Sequence, residues 1–372
     1  MEARHLDIAP RVHEVTDRAG FMALESEWNT LVETTSNELF YRHEFLRIWW
    51  DNFAPGARPR VLTLRGPDGT LSAALPLWEE RTSMYGMPAR QLSAMANVHS
   101  CRFDLLAREP DVAVRAFLAH LRETGGWDVL RLTDVPEGGA AWRLHTVAKE
   151  AGLPVGEWES LVSPYIPLPS SRDAYLGTLQ SKFKANCRRR RRKLEEKGRV
   201  SFERVDGGLE LEGRLEEGFL LEQSGWKGER GTAMAQDART RGFYTELARD
   251  SAYRGKLALY FMRLDGRPVA FHFGLEHAGR YFLLKPGYDE ALKECSPGQL
   301  LMEEVVGTCI DRGLHEFDFL GPDMVWKRDW TDKARRHTWL YVFNDSAIGR
   351  ALCSAKFRWG PAVKEVVARW KR

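Results

Sequence analysis

The chain has 372 residues, 43% of them hydrophobic and 29% charged, and its formal net charge is +3. That length accommodates two ordinary domains with buried cores, and so small a net charge excludes a global field that would demand nucleic acid. The five cysteines, Cys101, Cys187, Cys295, Cys309 and Cys353, are widely spaced with no CxxC pair, which argues against a disulfide framework and a zinc site, so no metal is expected.

Met1–Asp7 lacks an apolar run and does not read as a signal peptide. No stretch reaches the ~20 apolar residues that span a bilayer, so the expected location is the cytoplasm, with peripheral attachment to the inner face of a membrane left open. His13–Val15 reads as a strand, Met22–Leu31 as a helix, and Tyr41–Phe53 as a second amphipathic helix. Arg60–Arg65 and Leu71–Trp78 form a predicted hairpin across Gly66–Gly69. A helix over Val112–Thr124, a strand over Trp127–Leu132 and a helix over Ala140–Ala151, ended by Gly152, complete the first half.

Pro164, Pro167 and Pro169 mark a boundary. Beyond it, Arg172–Gly198 is one long helical pattern and Val200–Val205 a strand, followed by helices over Leu209–Gly225 and Thr240–Ser251. Lys256–Leu264 and Arg267–Glu276 pair across Asp265-Gly266, a strong hairpin signal. Arg280–Leu284 is a strand, Leu300–Arg312 a helix, Glu316–Leu320 and Thr338–Asn344 strands, and a helical tail ends the pattern. Both halves therefore run strand, helices, hairpin, strand, helix, strand. That order predicts two similar α/β domains in tandem, residues 1–168 and 169–372, the second with a basic first helix (172–198) and a basic tail.

Charge is clustered in that first helix, where Arg188 to Arg192 are consecutive and must wrap around its axis. Like charges one turn apart cost roughly 0.2–0.5 kcal/mol per pair, which suggests an anionic partner for Arg188, Arg189, Arg191 and Arg192. An anionic membrane surface, a phosphorylated substrate or CoA, and RNA are the candidates; a solvated helix with internal pairs to Glu195 and Glu196 is the alternative. The tail Ala351–Arg372 is basic and carries Trp359 and Trp370, reading either as an interfacial helix or as one docked on its domain.

Residues 285–300 read KPGYDEALKECSPGQL and lead from a strand into a helix. Pro297 suits the first turn of that helix, Gly298 permits close approach, and the free N–H groups of the helix start make an anion site of Ser296, Pro297, Gly298, Gln299 and Leu300. An ordinary capped turn has the same spacing. In Val269–Leu275, Val269, Phe271, Phe273 and Leu275 share one face, while Ala270, His272 and Gly274 share the other, with small residues leaving space above His272. Asp318 faces away from Phe317 and Phe319 at the end of its strand, where it could orient His272 or an incoming amine, or cap the next turn.

Three segments in this order, SGWKG..GTA from Ser224, K.GYDE with SPG.LL from Lys285, and DFLG.D..WK..W from Asp318, resemble the GNAT-like acyltransferases of the CelD/BcsL type, relatives of the FemABX peptidyltransferases. The resemblance spans roughly residues 170–345. It implies an α/β fold of two tandem GNAT-like domains, each a mixed, mostly antiparallel sheet flanked by helices. The chain departs from many GNAT enzymes in having only Ser296–Leu300 where they carry a longer Gly-rich pyrophosphate loop.

The resemblance implies direct attack of an amine on an acyl-CoA thioester, with acyl-CoA as co-substrate. His272 would be the general base, Tyr288 would protonate the leaving thiolate, and Lys285 would hold a phosphate or polarise a carbonyl. Glu222, Trp226, Lys227, Gly321, Asp323, Lys327 and Trp330 would line the substrate pocket. The expected acceptor is an envelope-related amine: an amino sugar, an amino-acid derivative or a long-chain amino lipid such as a sphingoid base, giving a ceramide. An aminoacyl-tRNA-dependent transfer to a peptidoglycan precursor is the competing activity, and a non-catalytic binding protein on the same fold is the competing class.

Overall fold

The computed structural model describes residues 11–223 and 237–359. Contacts divide the chain into two units, one of residues 1–50, 54–161 and 336–372, the other of residues 51–53 and 162–335. The sequence places 169–372 in one domain; instead the described residues from 336 to 359 group with the first unit, because the last strand hydrogen-bonds there.

The first unit begins with β1 (Val12–Val15), α1 (Arg18–Met22), α2 (Glu25–Thr34) and α3 (His43–Phe53). Strands β2 (Val61–Arg65), β3 (Leu71–Leu75), β4 (Leu77–Met84), β5 (Met87–Ala94) and β6 (Leu106–Ala107) follow. One sheet has the order β1-β2-β3-β6. The hairpin β4–β5 was missed in the sequence, where the strand was read as stopping at Trp78. Its turn is Tyr85-Gly86, with φ of 53° and 79°, the pair of positive values a tight two-residue hairpin needs. Next come α4 (Pro110–Thr124), β7 (Val129–Pro136), α5 (Ala141–Glu150) and β8 (Val155–Pro167), whose residues from Val162 on belong to the second unit. Asp104 accepts the N–H groups of Ala140 and Ala141 at 2.9 and 2.7 Å, holding the start of α5. Burial outweighs these bonds and pushes its carboxyl up to about 6.

The second unit contains α6 (Arg172–Thr178), α7 (Ser181–Glu195), β9 (Val200–Val205), α8 (Leu211–Gln223), α9 (Ala238–Tyr253), β10 (Leu257–Leu264), β11 (Arg267–His277), β12 (Arg280–Tyr288), α10 (Pro297–Asp311) and β13 (Glu316–Asp318). The expected long helix is thus two, broken where Leu179 and Gln180 turn extended after the weak helix former Gly177. The strands lie in the order β13-β12-β11-β10-β9, and the end of β8 pairs antiparallel with β13. Asp265-Gly266, with φ of 49° and 82°, turns the β10–β11 hairpin. β14 (Ala334–Phe343) then pairs antiparallel with β7, and α11 (Ala347–Ser354) follows.

Val269 to Leu275 are all buried, so this strand is covered on both faces. Helix α8 packs on β11 and β12, while α10 packs on β10, β11 and β12. Gly218 of α8 would place a Cβ 2.6 Å from the Phe271 ring, which puts α8 on the Phe271 face. Gly298 of α10 lies against Tyr288, whose register partner is Ala270, which puts α10 on the opposite face. Helix α10 buries Leu300, Leu301, Met302, Val305, Val306 and Cys309, each side chain of Leu or Val size contributing about 1.5–3 kcal/mol.

Candidate active site on the central sheet of the second unit

Register sorts the expected residues into two groups. His272 pairs with Tyr260 on β10 and Pro286 on β12, and Ala270 pairs with Tyr288. Side chains paired across a sheet share a face, so His272 and Tyr288 lie on the α10 face, with the Ser296–Leu300 turn above them. Ser296 takes a left-handed conformation at φ 48°, and Pro297 starts the helix. β12 runs to Tyr288, four residues past its predicted end, and this extension carries Tyr288 under the turn. Burial pushes the Tyr288 hydroxyl above its ordinary value, and the Glu290 carboxylate adds to the shift. A phenol that stays protonated suits a proton donor.

His272 is 1% exposed. The space expected above it is filled on one side: a Cβ at Gly274 would lie 2.0 Å from Tyr281 Oη. Tyr281 thus occupies the Gly274 side of His272.

Asp318 belongs elsewhere. It pairs with Phe282, whose partner is Leu275, on the face opposite His272. Its oxygens accept from the Leu320 N–H at 2.9 Å and pair with Arg335 at 3.2 Å. Arg335 also pairs with Glu316 and lies 3.7 Å over the Tyr165 ring. The expectation that Asp318 orients His272 is thereby corrected. Arg335 had no local signal, since it meets these partners only through tertiary pairing.

Lys285 shares the α8 face. Its Nζ sits 5.5 Å from the centroid of Tyr244 on α9, a cation–π contact. Glu222 is 1% exposed, and its backbone touches β12, where a Cβ at Gly287 would lie 3.0 Å from Glu222 Cα. Trp226 and Lys227 lie outside the described residues.

The remaining expected substrate residues lie in the segment after β13. Lys327 is 5% exposed, and its Nζ donates to the Leu320 and Pro322 carbonyls at 2.6 and 2.8 Å. It closes the turn through Gly321, where φ is 57°. Asp323 pairs with Arg328 at 2.7 Å, which lowers its carboxyl. Trp330 is buried edge-on against Phe183, with ring centroids 4.9 Å apart.

Basic helix α7 runs beside α10. Lys193 pairs with Glu294, Arg190 donates to Gln299 Oε1 at 2.6 Å, and Arg191 pairs with Glu303 at 3.1 Å. Arg188, Arg189 and Arg192 are exposed. The four expected anion-binding arginines thus divide into one tethered, Arg191, and three solvent-facing. The tether to Gln299 joins the expected anion turn to this helix, a link that spacing along the chain cannot reveal.

Residues 181–328 match the acetyltransferase (GNAT) domain family. The second unit of the chain therefore carries a GNAT acyltransferase domain. The whole chain resembles the solved structure of FemX with a TM-score of 0.59 at 13% identity, covering 90% of this chain and 98% of that one. It also resembles the C-terminal domain of a putative lysylphosphatidylglycerol synthetase from Agrobacterium fabrum, with a TM-score of 0.53 at 12% identity over 90% and 96% of the two chains. L-PGS from Bacillus licheniformis gives a TM-score of 0.52 at 12% identity over 89% and 94%. At these identities the likeness is one of fold, and it extends over both units. No curated protein matches the sequence. Among the described residues no helix is long and apolar enough to cross a membrane, and no group of three or more His, Cys, Asp or Glu is placed to hold a metal ion.

Proposed function

We propose that this acyltransferase moves an acyl group from a CoA thioester to the amine of an envelope-related acceptor, with His272 as base and Tyr288 as acid. The observation that supports this most is the common face of His272, Tyr288 and the start of α10. The amine nitrogen attacks the thioester carbonyl carbon while His272 takes its proton. The tetrahedral intermediate collapses, the C–S bond breaks, and Tyr288 Oη returns a proton to the thiolate. The first-turn N–H groups of α10 hold the donor's pyrophosphate, and holding two substrates together supplies much of the acceleration. For the acceptor, a long-chain amino lipid is favoured over an amino sugar: one of the fold neighbours is named as a putative synthetase of a lipid, lysylphosphatidylglycerol.

The test is thermal stability with CoA, acetyl-CoA and a long-chain acyl-CoA, followed by turnover. A donor at 100 times its Kd adds about 2.7 kcal/mol. His272→Asn should keep that stabilisation and lose about 10²- to 10⁴-fold in kcat. No stabilisation by any of the three compounds rejects the proposal.

A second reading, transfer from aminoacyl-tRNA, is favoured by the exposed Arg188, Arg189 and Arg192 and by the FemX-like fold. It requires tRNA binding that weakens steeply with salt and that drops when those three arginines become glutamine.

A further inference from the structure

Away from the sheet, helices α6, α7 and α10 enclose a pocket of about 230 Å³. Its floor is aliphatic, built from Leu176 and Ile310. It exists partly because α10 presents Gly307 there: a Cβ at that position would lie 2.6 Å from the Arg172 guanidinium. One wall is aromatic and fixed, since the Tyr175 hydroxyl donates to the Trp330 carbonyl at 3.1 Å. Trp330 is 2% exposed, and its indole Nε1 is buried without an acceptor. The rim carries two charges of each sign. Arg191 meets Glu303 at 3.1 Å, both about a third exposed, whereas Arg172 is held by Asp311 outside the lining at 2.5 Å and reaches Glu304 only at 3.9 Å.

We propose that this pocket binds a small zwitterion, an α-amino acid with an apolar side chain. The lining matches that chemistry part by part. The aliphatic floor takes the side chain, an arginine takes the carboxylate with its planar fork, and a glutamate takes the ammonium against the aromatic wall. An ion pair as exposed as Arg191–Glu303 holds its partners weakly, so a ligand carrying both charges opens it and replaces each half. The volume lies below the ~300–1,000 Å³ of sites for drug-sized ligands, which suits a molecule of amino-acid size. The pocket includes neither His272, Tyr288 nor the Ser296–Leu300 turn, so it stands or falls independently of the acyl-transfer reading.

Isothermal titration of the full chain with L-leucine and L-phenylalanine tests the assignment. Two truncated probes accompany them: 4-methylpentanoate, which lacks the ammonium, and 3-methylbutylamine, which lacks the carboxylate. The expected result is one site for an amino acid, with each truncated probe weaker by at least about tenfold. Leu176→Trp fills the floor and should abolish binding. Glu303→Gln, a milder change on a partly exposed residue, should weaken the amino acid about tenfold without weakening 4-methylpentanoate, whose carboxylate no longer competes with Glu303 for Arg191. Circular dichroism melts of both variants establish that they fold, and Glu303→Gln carries the test if Leu176→Trp does not. Absence of binding by both amino acids at about 10 mM, equal binding of the truncated probes, or undiminished binding to Glu303→Gln overturns the proposal.

Discussion

Lys327 was expected to touch substrate, and the structure gives it two backbone carbonyls instead. Replacing it with methionine keeps the stem and removes the ammonium. Each charge-assisted bond contributes about 1.5–3 kcal/mol, and a buried carbonyl left bare costs about 1–3. Sparing the burial of an ammonium offsets part of that loss, so the net destabilisation should be about 2–4 kcal/mol. Urea unfolding followed by tryptophan fluorescence reads it directly. With a slope of about 3 kcal/mol/M, the midpoint of the second unit should fall by about 1 M at unchanged slope. Asp323→Asn, two residues beyond Gly321 but paired only at the surface, should leave the midpoint where it is. If Lys327→Met unfolds at the wild-type midpoint while KM for the amine acceptor rises, the lysine serves substrate and the structural reasoning is wrong.

Arg335→Met should destabilise the second unit by about 3 kcal/mol, because it leaves the fully buried Asp318 without its cation; a denaturation midpoint measures this. Combining it with Asp318→Asn should cost less than the sum of the two single changes. Asp104 predicts a pH effect in the first unit. Its carboxyl is raised from 3.8 to about 6, so between those values the folded state holds the proton more tightly than the unfolded chain. Stability contributed there should fall as pH rises through this window, by about 3 kcal/mol at most, and Asp104→Asn should flatten the profile in stability measurements from pH 4 to 7.

Much of the second unit was legible because its signals are local. Asp265-Gly266 announced its hairpin, and the alternation of Val269–Leu275 separated the two faces of β11 correctly. Pro297 marked the start of α10, although the apolar pattern suggested Leu300. Other features were closed to the sequence. Tyr85-Gly86 lacks the Asn or Asp that usually signals such a turn, so β4 and β5 went unread. The prolines at 164, 167 and 169 resembled a linker, while Pro164 and Pro167 lie within β8, whose end pairs with the short β13. For the site, residue types were readable but not their sides: nothing in the spacing of Lys285, Asp318 and His272 shows that register sends the first two to one face and the third to the other.

Strand β14 has a consequence for how the molecule is made. The first unit gathers residues 11–161, yet β7 obtains β14 as its antiparallel neighbour only from residues 337–343. On a ribosome adding about 5–20 residues per second, the earliest part of the chain waits roughly ten seconds or more for that closing strand, while the second unit is translated in between. The edge of β7 is open for that interval, the kind of unpaired backbone on which another chain can template. Chains cut short after the second unit should therefore be prone to aggregate during synthesis, whatever the quality of their catalytic residues.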